Sequence, residues 1–157
     1  MNLIVAVDEN FAIGNKQGLL CHLPEDLKRF KELTLNKTVV MGYNTLMSLP
    51  RSQPLKNRTN VVLTRKDITV EGATVVHSVE EALALCPPDS FIIGGSSIYK
   101  QFLPYCQKAY ITHIEKAFEA DTFFPPLDQD WEMTQRSERL EHEGIGFRFC
   151  LWERKQK

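Results

Sequence analysis

TVVMGYNTLMSL, residues 38–49, passes from one kind of backbone into another without a gap. Thr38 to Gly42 is apolar and rich in β-branched residues, with no polar alternation, the pattern of a strand covered on both faces. YNTLMSL follows at once and reads as a short helix with Thr45 in its first turn. A strand that meets a helix across a glycine aims backbone N–H groups above the strand's end, a geometry suited to a phosphate.

The same unit recurs on either side. Asn2 to Asp8 (NLIVAVD), Asn60 to Thr64 (NVVLT), Ala73 to Val76 and Phe91 to Ile93 are further short apolar runs. Ser78 opens a helix with a capping-box pattern, Ser78-Val79-Glu80-Glu81. Gly94-Gly95-Ser96-Ser97 leads into a helix over Ile98 to Leu103, which Pro104 stops. Strand and helix in alternation predict a mostly parallel sheet with helices on both faces. Lys108 to Glu115 alternates more. Trp131 to Arg139 and Gly146 to Arg154, joined by the charged connection Leu140 to Ile145, read as an antiparallel pair at one edge. The expectation is one α/β domain over residues 1–157, with a mostly parallel central sheet of about eight strands, an antiparallel C-terminal strand pair and about four flanking helices.

At 43% hydrophobic and 25% charged, the chain has an ordinary globular composition. A net charge of −1 argues against a general nucleic-acid binder, which needs a clear basic excess. The apolar run Leu3 to Val7 is too short for a signal-peptide core or a membrane span. Four cysteines, Cys21, Cys86, Cys106 and Cys150, show no metal-site spacing and read as cytosolic thiols. Together these features predict a cytoplasmic protein with no membrane or nucleic-acid partner and no bound metal.

LLCHLPEDLKRFKEL, residues 19–33, carries the sharpest chemical signal. Pro24 suits a first helical turn. Counting ~100° per residue from Phe30 puts Leu23, Leu27 and Leu33 within about 60° of it, and Asp26 at about −40°, inside the same apolar arc. Glu25, Lys28 and Glu32 fall on the far side. A carboxylate on an apolar face is costly unless something pairs with it or the site uses it. Glu25 and Asp26 also fit an ordinary acidic first turn, which complements the helix dipole. The preceding segment, Asn10 to His22 with Gly14 and Gly18, is long enough to be a lid. Gly94-Gly95 forms a second phosphate-cradle candidate beside Gly42, although a double glycine alone also serves plain tight turns.

The blocks LPEDLKRF, TVVMG-x-x-T, NVVLTR, IIGGSSIYKQFLP, YITHIE and EADTFFP, in this order and spacing, resemble the bacterial type of dihydrofolate reductase from residue 3 to about residue 125. That resemblance implies reduction of 7,8-dihydrofolate to tetrahydrofolate with NADPH in one-carbon metabolism, by a monomer that also binds antifolate inhibitors. Asp26 would be the carboxylate of the pterin pocket, braced by Thr112. Leu27, Phe30 and Leu49 would grip the pterin and benzoyl rings, with Val5 and Leu55 lining the same cleft. Arg58 would hold the glutamate α-carboxylate. The backbones of Ile4 and Ile93 would meet the pterin amino group.

On the cofactor side, the resemblance implies contacts from Ala6, Ile13, Gly14 and Leu19 around the nicotinamide, with Tyr99 nearby. Gly42, Asn44 and Thr45 would meet the pyrophosphate on one side, and Gly94, Gly95, Ser96, Ser97 and Ile98 on the other. Tyr43, Leu63, Thr64, Arg65 and Lys66 would border the adenosine and its 2′-phosphate, and Thr122 completes the set. The chain departs from the family pattern at Leu20-Cys21, where Pro-Trp is usual, at Tyr43 and Asn44, where basic residues are usual, and at Ser97, where some members carry arginine. These departures bear on lid closure and phosphate binding rather than on the fold. Two alternatives share the same pattern: a pyrimidine reductase of riboflavin synthesis, disfavoured by LPEDLKRF and Arg58, and a folate- or nucleotide-binding protein without turnover.

Overall fold

Runs of β-branched residues become the inner strands because their side chains fill a pleated surface on both sides. The computed structural model describes residues 1–14 and 22–155. In it Asn2–Val7 forms β1, Thr38–Gly42 β3, Thr59–Leu63 β4, Ala73–Val76 β5 and Phe91–Gly94 β6. All of β3 is buried, as expected of a strand covered on both faces. Lys108–Ile114 forms β7, which pairs in parallel with β1 from Asn2↔Lys108 to Val7↔His113. The sheet runs β10 (Leu140–His142)-β11 (Ile145–Arg154)-β7-β1-β6-β3-β4-β5, with β9 (Trp131–Arg136) also paired to β11. The strands from β7 to β5 are parallel, so their carboxyl ends share one edge.

Four helices flank this sheet among the described residues: α1 (Pro24–Thr34), α2 (Tyr43–Ser48), α3 (Val79–Leu85) and α4 (Ser96–Phe102). The Ser78 hydroxyl accepts from the Glu81 N–H at 3.1 Å, closing the N-terminus of α3 as its capping-box pattern predicts. α4 buries Ile98, Tyr99 and Phe102 against the sheet.

Two features differ from the sequence reading. A small antiparallel pair, β2 (Ala12–Gly14) with β8 (Thr122–Phe123), ties the segment after β1 to the one after β7. The C-terminal pair is also built differently. β9 (Trp131–Arg136) ends early, and β10 (Leu140–His142) continues along the same outer edge of β11 (Ile145–Arg154). Ser137 causes the break. Its N–H donates to the Phe149 carbonyl at 2.8 Å, while its hydroxyl accepts from the Phe149 N–H at 2.9 Å, so a side chain replaces a backbone group in the ladder. The charged connection thus shrinks to a tight turn at Glu143 and Gly144, both at positive φ.

Residues 15–21 of the segment read as a lid, Leu19, Leu20 and Cys21 among them, lie outside the described residues.

Candidate active site

The shared edge gathers most of the residues singled out above. Ile4, Val5 and Ala6 lie on β1; Ile13 and Gly14 on β2; Gly42 ends β3; Leu63 ends β4; Ile93 and Gly94 end β6. Tyr43, Asn44 and Thr45 open α2, while Ser96, Ser97, Ile98 and Tyr99 form the first half of α4. Thr112 is on β7 and Thr122 on β8.

Asp26 is half-buried near the start of α1, and the buried Thr112 hydroxyl donates to its Oδ1 at 2.5 Å. Burial pushes the Asp26 carboxyl above its ordinary value of 3.8, while the Thr112 hydrogen bond and the Arg29 charge pull it back. Its Oδ2 takes no hydrogen bond from the described residues, so one oxygen stays free to accept from a ligand. The Tyr99 hydroxyl donates to the Ile4 carbonyl at 2.7 Å. A carbonyl has two lone pairs, so Ile4 keeps one for a second donor. Burial, aided by the Asp26 charge, pushes the Tyr99 phenol upward and keeps it protonated.

α1 buries only Thr34 fully; Phe30 and Leu33 are half-buried, and Leu27 is 36% exposed. Phe30, Leu33, Leu49, Leu55 and Ile93 pack against one cluster that contains Ile4, Met41 and Leu46. The arc that holds Asp26 therefore faces a cleft wall rather than the deep core. At the far end of α1, Arg58 donates to the Thr34 hydroxyl (3.1 Å), the Lys31 carbonyl (3.1 Å) and the Lys56 carbonyl (2.7 Å). Three of an arginine's five N–H donors are thereby committed, and two remain. A guanidinium anchored in this way is pre-set for a carboxylate.

The double glycine sits against α2. A Cβ on Gly94, whose φ is +130°, would stand 3.3 Å from Thr45 Oγ1 and 3.5 Å from the Tyr99 hydroxyl. One on Gly95 would stand 3.5 Å from Thr45 Oγ1, and one on Gly42 would meet Ile98 at 2.9 Å. The Gly94–Gly95 peptide is cis. Two strand-to-helix junctions thus abut with side chains excluded between them, a backbone cradle that fits a pyrophosphate. The Ser96 hydroxyl donates to the Phe123 carbonyl at 2.9 Å, so Ser96 serves such a cradle through its backbone.

Beyond β4, Arg65 and Lys66 are exposed, with the Lys66 ammonium 4.1 Å from the Tyr43 ring centre. Tyr43, which replaces an expected cation, instead holds one in place. Sequence reasoning missed His77 here, whose Nδ1 lies 2.8 Å from the Thr64 carbonyl. Since a carbonyl only accepts, Nδ1 carries the proton in this bond. Arg29 was missed too, although its spacing of three residues from Asp26 puts both on one helix face.

Among the described residues, no group of three or more His, Cys, Asp and Glu is arranged to hold a metal ion, and no helix is long and apolar enough to cross a membrane.

A parallel sheet whose edge carries one part-buried carboxylate, an apolar cleft wall, an anchored arginine and a glycine-lined anion cradle defines a class: a small α/β enzyme with adjacent sites for a ring-bearing substrate and a nucleotide. Comparison with known proteins narrows the class. The dihydrofolate reductase family model matches residues 1–154. Dihydrofolate reductase of Bacillus subtilis is 35% identical over 99% of this chain and 95% of its own length. That of Neisseria gonorrhoeae is 39% identical over 95% and 94%. A solved structure, dihydrofolate reductase from Enterococcus faecalis complexed with NADP(H) and RAB-propyl, superposes with a TM-score of 0.89 at 38% identity, covering 99% of this chain and 96% of that one. The chain belongs to the dihydrofolate reductase family.

Proposed function

We propose that this chain reduces 7,8-dihydrofolate to 5,6,7,8-tetrahydrofolate, with NADPH as the reductant. The observation that carries the reading is Asp26, held by the Thr112 hydroxyl at the mouth of an apolar cleft with one oxygen unclaimed by the described residues. The N3–H and 2-amino group of a pterin present two donors side by side, which a carboxylate accepts together. Thr112 takes one lone pair of Oδ1, which leaves the second lone pair of Oδ1 and Oδ2 for the ligand's two donors. Phe30, Leu49 and Leu27 clasp the flat ring and the benzoyl group, and Val5 and Leu55 extend the apolar lining. Ile4 and Ile93 offer carbonyls to the pterin amino group, and Arg58 takes the glutamate α-carboxylate.

The cradle formed by Gly42, Thr45, Gly94 and Gly95 fits the pyrophosphate of NADPH, since a Cβ at Gly94 would crowd Thr45 and one at Gly42 would meet Ile98, which leaves only backbone between the two junctions. Asn44, Ser97 and Ile98 flank it. Ala6, Ile13, Gly14, Tyr99 and Thr122 border the nicotinamide end; Tyr43, Leu63, Thr64, Arg65 and Lys66 border the adenosine end. Bound there, NADPH would supply the hydride, from nicotinamide C4 to pterin C6. Asp26 hydrogen-bonds the opposite edge of the pterin from N5, so it acts by field: its negative charge raises the basicity of N5, and water delivers the proton. The half-buried setting strengthens that field relative to water. Every group in this scheme comes from one chain, which supports a monomer. Cys86, Cys106 and Cys150 are free thiols, which supports a cytoplasmic setting. Antifolates that mimic the pterin edge would compete at Asp26.

The test is Asp26→Asn beside Glu25→Gln. The nearly isosteric amide keeps the fold but loses turnover by a few orders of magnitude at neutral pH. Turnover recovers towards acid pH, where more of the substrate arrives already protonated. Glu25→Gln, on the exposed side of α1, keeps full turnover. Equal losses in the two variants would remove Asp26 from this role.

A further inference from the structure

We propose that Arg29 is a positioning residue for this reaction: from the same face of α1, seated over two sheet aromatics, it holds the Asp26 carboxylate ionised through its field, without occupying the oxygens the pterin needs. The inference rests on the assignment of Asp26 above. Arg29 follows Asp26 by three residues on α1, and its guanidinium is half-buried. Its central carbon lies 4.6 Å from the Phe149 ring centre and 5.6 Å from that of Tyr110. Among the described residues it makes neither a hydrogen bond nor an ion pair. Half-burying a guanidinium without a hydrogen-bond acceptor is unfavourable, and two ring faces offset only part of that. The remaining compensation is Asp26, whose charge favours the protonated guanidinium just as Arg29 favours the ionised carboxylate.

The surroundings of both groups single out this pair. Asp26 faces Thr112 on β7, Tyr99 on α4 and Arg29 on its own helix. Arg29 faces Tyr110 on β7 and Cys150 on β11. Across a groove of about 330 Å³ it also faces Arg136 on β9, with Gln135, Ser137, Phe149 and Leu151 forming the rest of the lining. Burial pushes the Cys150 thiol upward, so it stays neutral, and Arg136 carries the same sign as Arg29. Asp26 is the one carboxylate in this set. The two aromatic rings, on β7 and β11, hold the cation against the sheet. A direct ion pair would cover the carboxylate; a cation held by rings acts on its charge and leaves Oδ2 open.

The experiment is a direct titration of the Asp26 carboxyl by ¹³C NMR in the ligand-free protein, comparing wild type with Arg29→Met, Arg29→Gln, Arg29→Lys and Arg136→Gln. Methionine preserves the packing on Phe149 without the charge, and glutamine covers the case in which methionine misfolds. The midpoint should rise in Arg29→Met and Arg29→Gln by at least about half a pH unit, less than the roughly one to three units of a directly paired charge, because Arg29 acts through its field alone. Arg29→Lys should stay near wild type, and Arg136→Gln should move the midpoint less than the neutral Arg29 variants. The acid limb of the kcat/KM profile for dihydrofolate should shift with it. A purely structural arginine would lower the unfolding midpoint in all three Arg29 variants and leave the Asp26 titration in place, which overturns the proposal. Because the titration needs no substrate and no turnover, its outcome is separate from whether the chain reduces dihydrofolate.

Discussion

The double glycine offers a pair of substitutions that separate folding from cofactor binding. Gly94 has φ +130°, a region that L side chains rarely adopt, and an added Cβ would stand 3.3 Å from Thr45 Oγ1 and 3.5 Å from the Tyr99 hydroxyl. The backbone strain costs about 1–3 kcal/mol. Displacing Thr45 and the tyrosine that bonds Ile4 adds to it, for a total of about 2–4 kcal/mol. In a chain of this size that lowers the thermal midpoint by roughly 5–15 °C. Gly95 differs. Its φ is −89°, and its Cβ would make only an ordinary 3.5 Å contact with Thr45, so Gly95→Ala stays within about 1 kcal/mol of wild type. If the Gly95 backbone approaches a pyrophosphate, however, the methyl group stands where the anion must come. Losing one charge-assisted contact of about 1.5–3 kcal/mol raises the KM for NADPH about ten- to a hundredfold, with the KM for dihydrofolate little changed. The assays are thermal unfolding and initial rates against NADPH at saturating dihydrofolate. Wild-type stability together with a wild-type KM for NADPH in Gly95→Ala would refute the cradle.

Three further outcomes follow from the charges. Burial holds the Asp26 carboxyl above 3.8, so the unfolded chain loses that proton at lower pH than the folded one. Stability from this group is therefore lost as pH rises from about 3.8 through the folded value, at about 1.4 kcal/mol per pH unit of separation. Asp26→Asn should consequently be more stable than wild type at neutral pH and converge with it in acid; denaturant unfolding across that range checks this, and a less stable variant at neutral pH contradicts it. His113 behaves oppositely. Burial lowers its pKa below 6.5, and the Trp152 indole N–H donates to its Nε2 at 3.0 Å, so stability is full above pH 6.5 and falls as pH drops towards the folded value. His113→Asn should flatten that decline, and an unchanged slope sinks the assignment. Finally, Arg65 is exposed just after β4 while Lys66 is held over Tyr43, so Arg65→Ala should cut the NADPH-to-NADH ratio of kcat/KM about tenfold or more; an unaltered ratio shows that Arg65 does not read the 2′-phosphate.

Local signals carried much of this account, and their limits are physical. Thr38–Gly42 and Ala73–Val76 became β3 and β5 with the bounds their composition implied, because an uninterrupted β-branched run has few alternatives in an α/β chain. Asp26 stood out because helical spacing can be counted along one segment. The bond to Thr112 joins residues 86 apart, and only the resemblance supplied it, since no local pattern encodes which strand lies beneath a helix. His77 became visible once β4 and β5 were aligned: Leu63 pairs with Val76, so the next residues on each strand, Thr64 and His77, lie side by side. β10 was hidden by the charges of Leu140–His142, which are tolerated at a solvent-facing edge. β2 and β8 are too short for any periodicity to show.

The most direct test of the central claim is consumption of NADPH by the purified chain, followed by its absorbance before and after dihydrofolate is added, with the folate product identified. NADPH should stay unconsumed until dihydrofolate is present, after which one tetrahydrofolate forms for each NADPH oxidised. A folded protein that binds both compounds yet leaves NADPH unconsumed would contradict that claim.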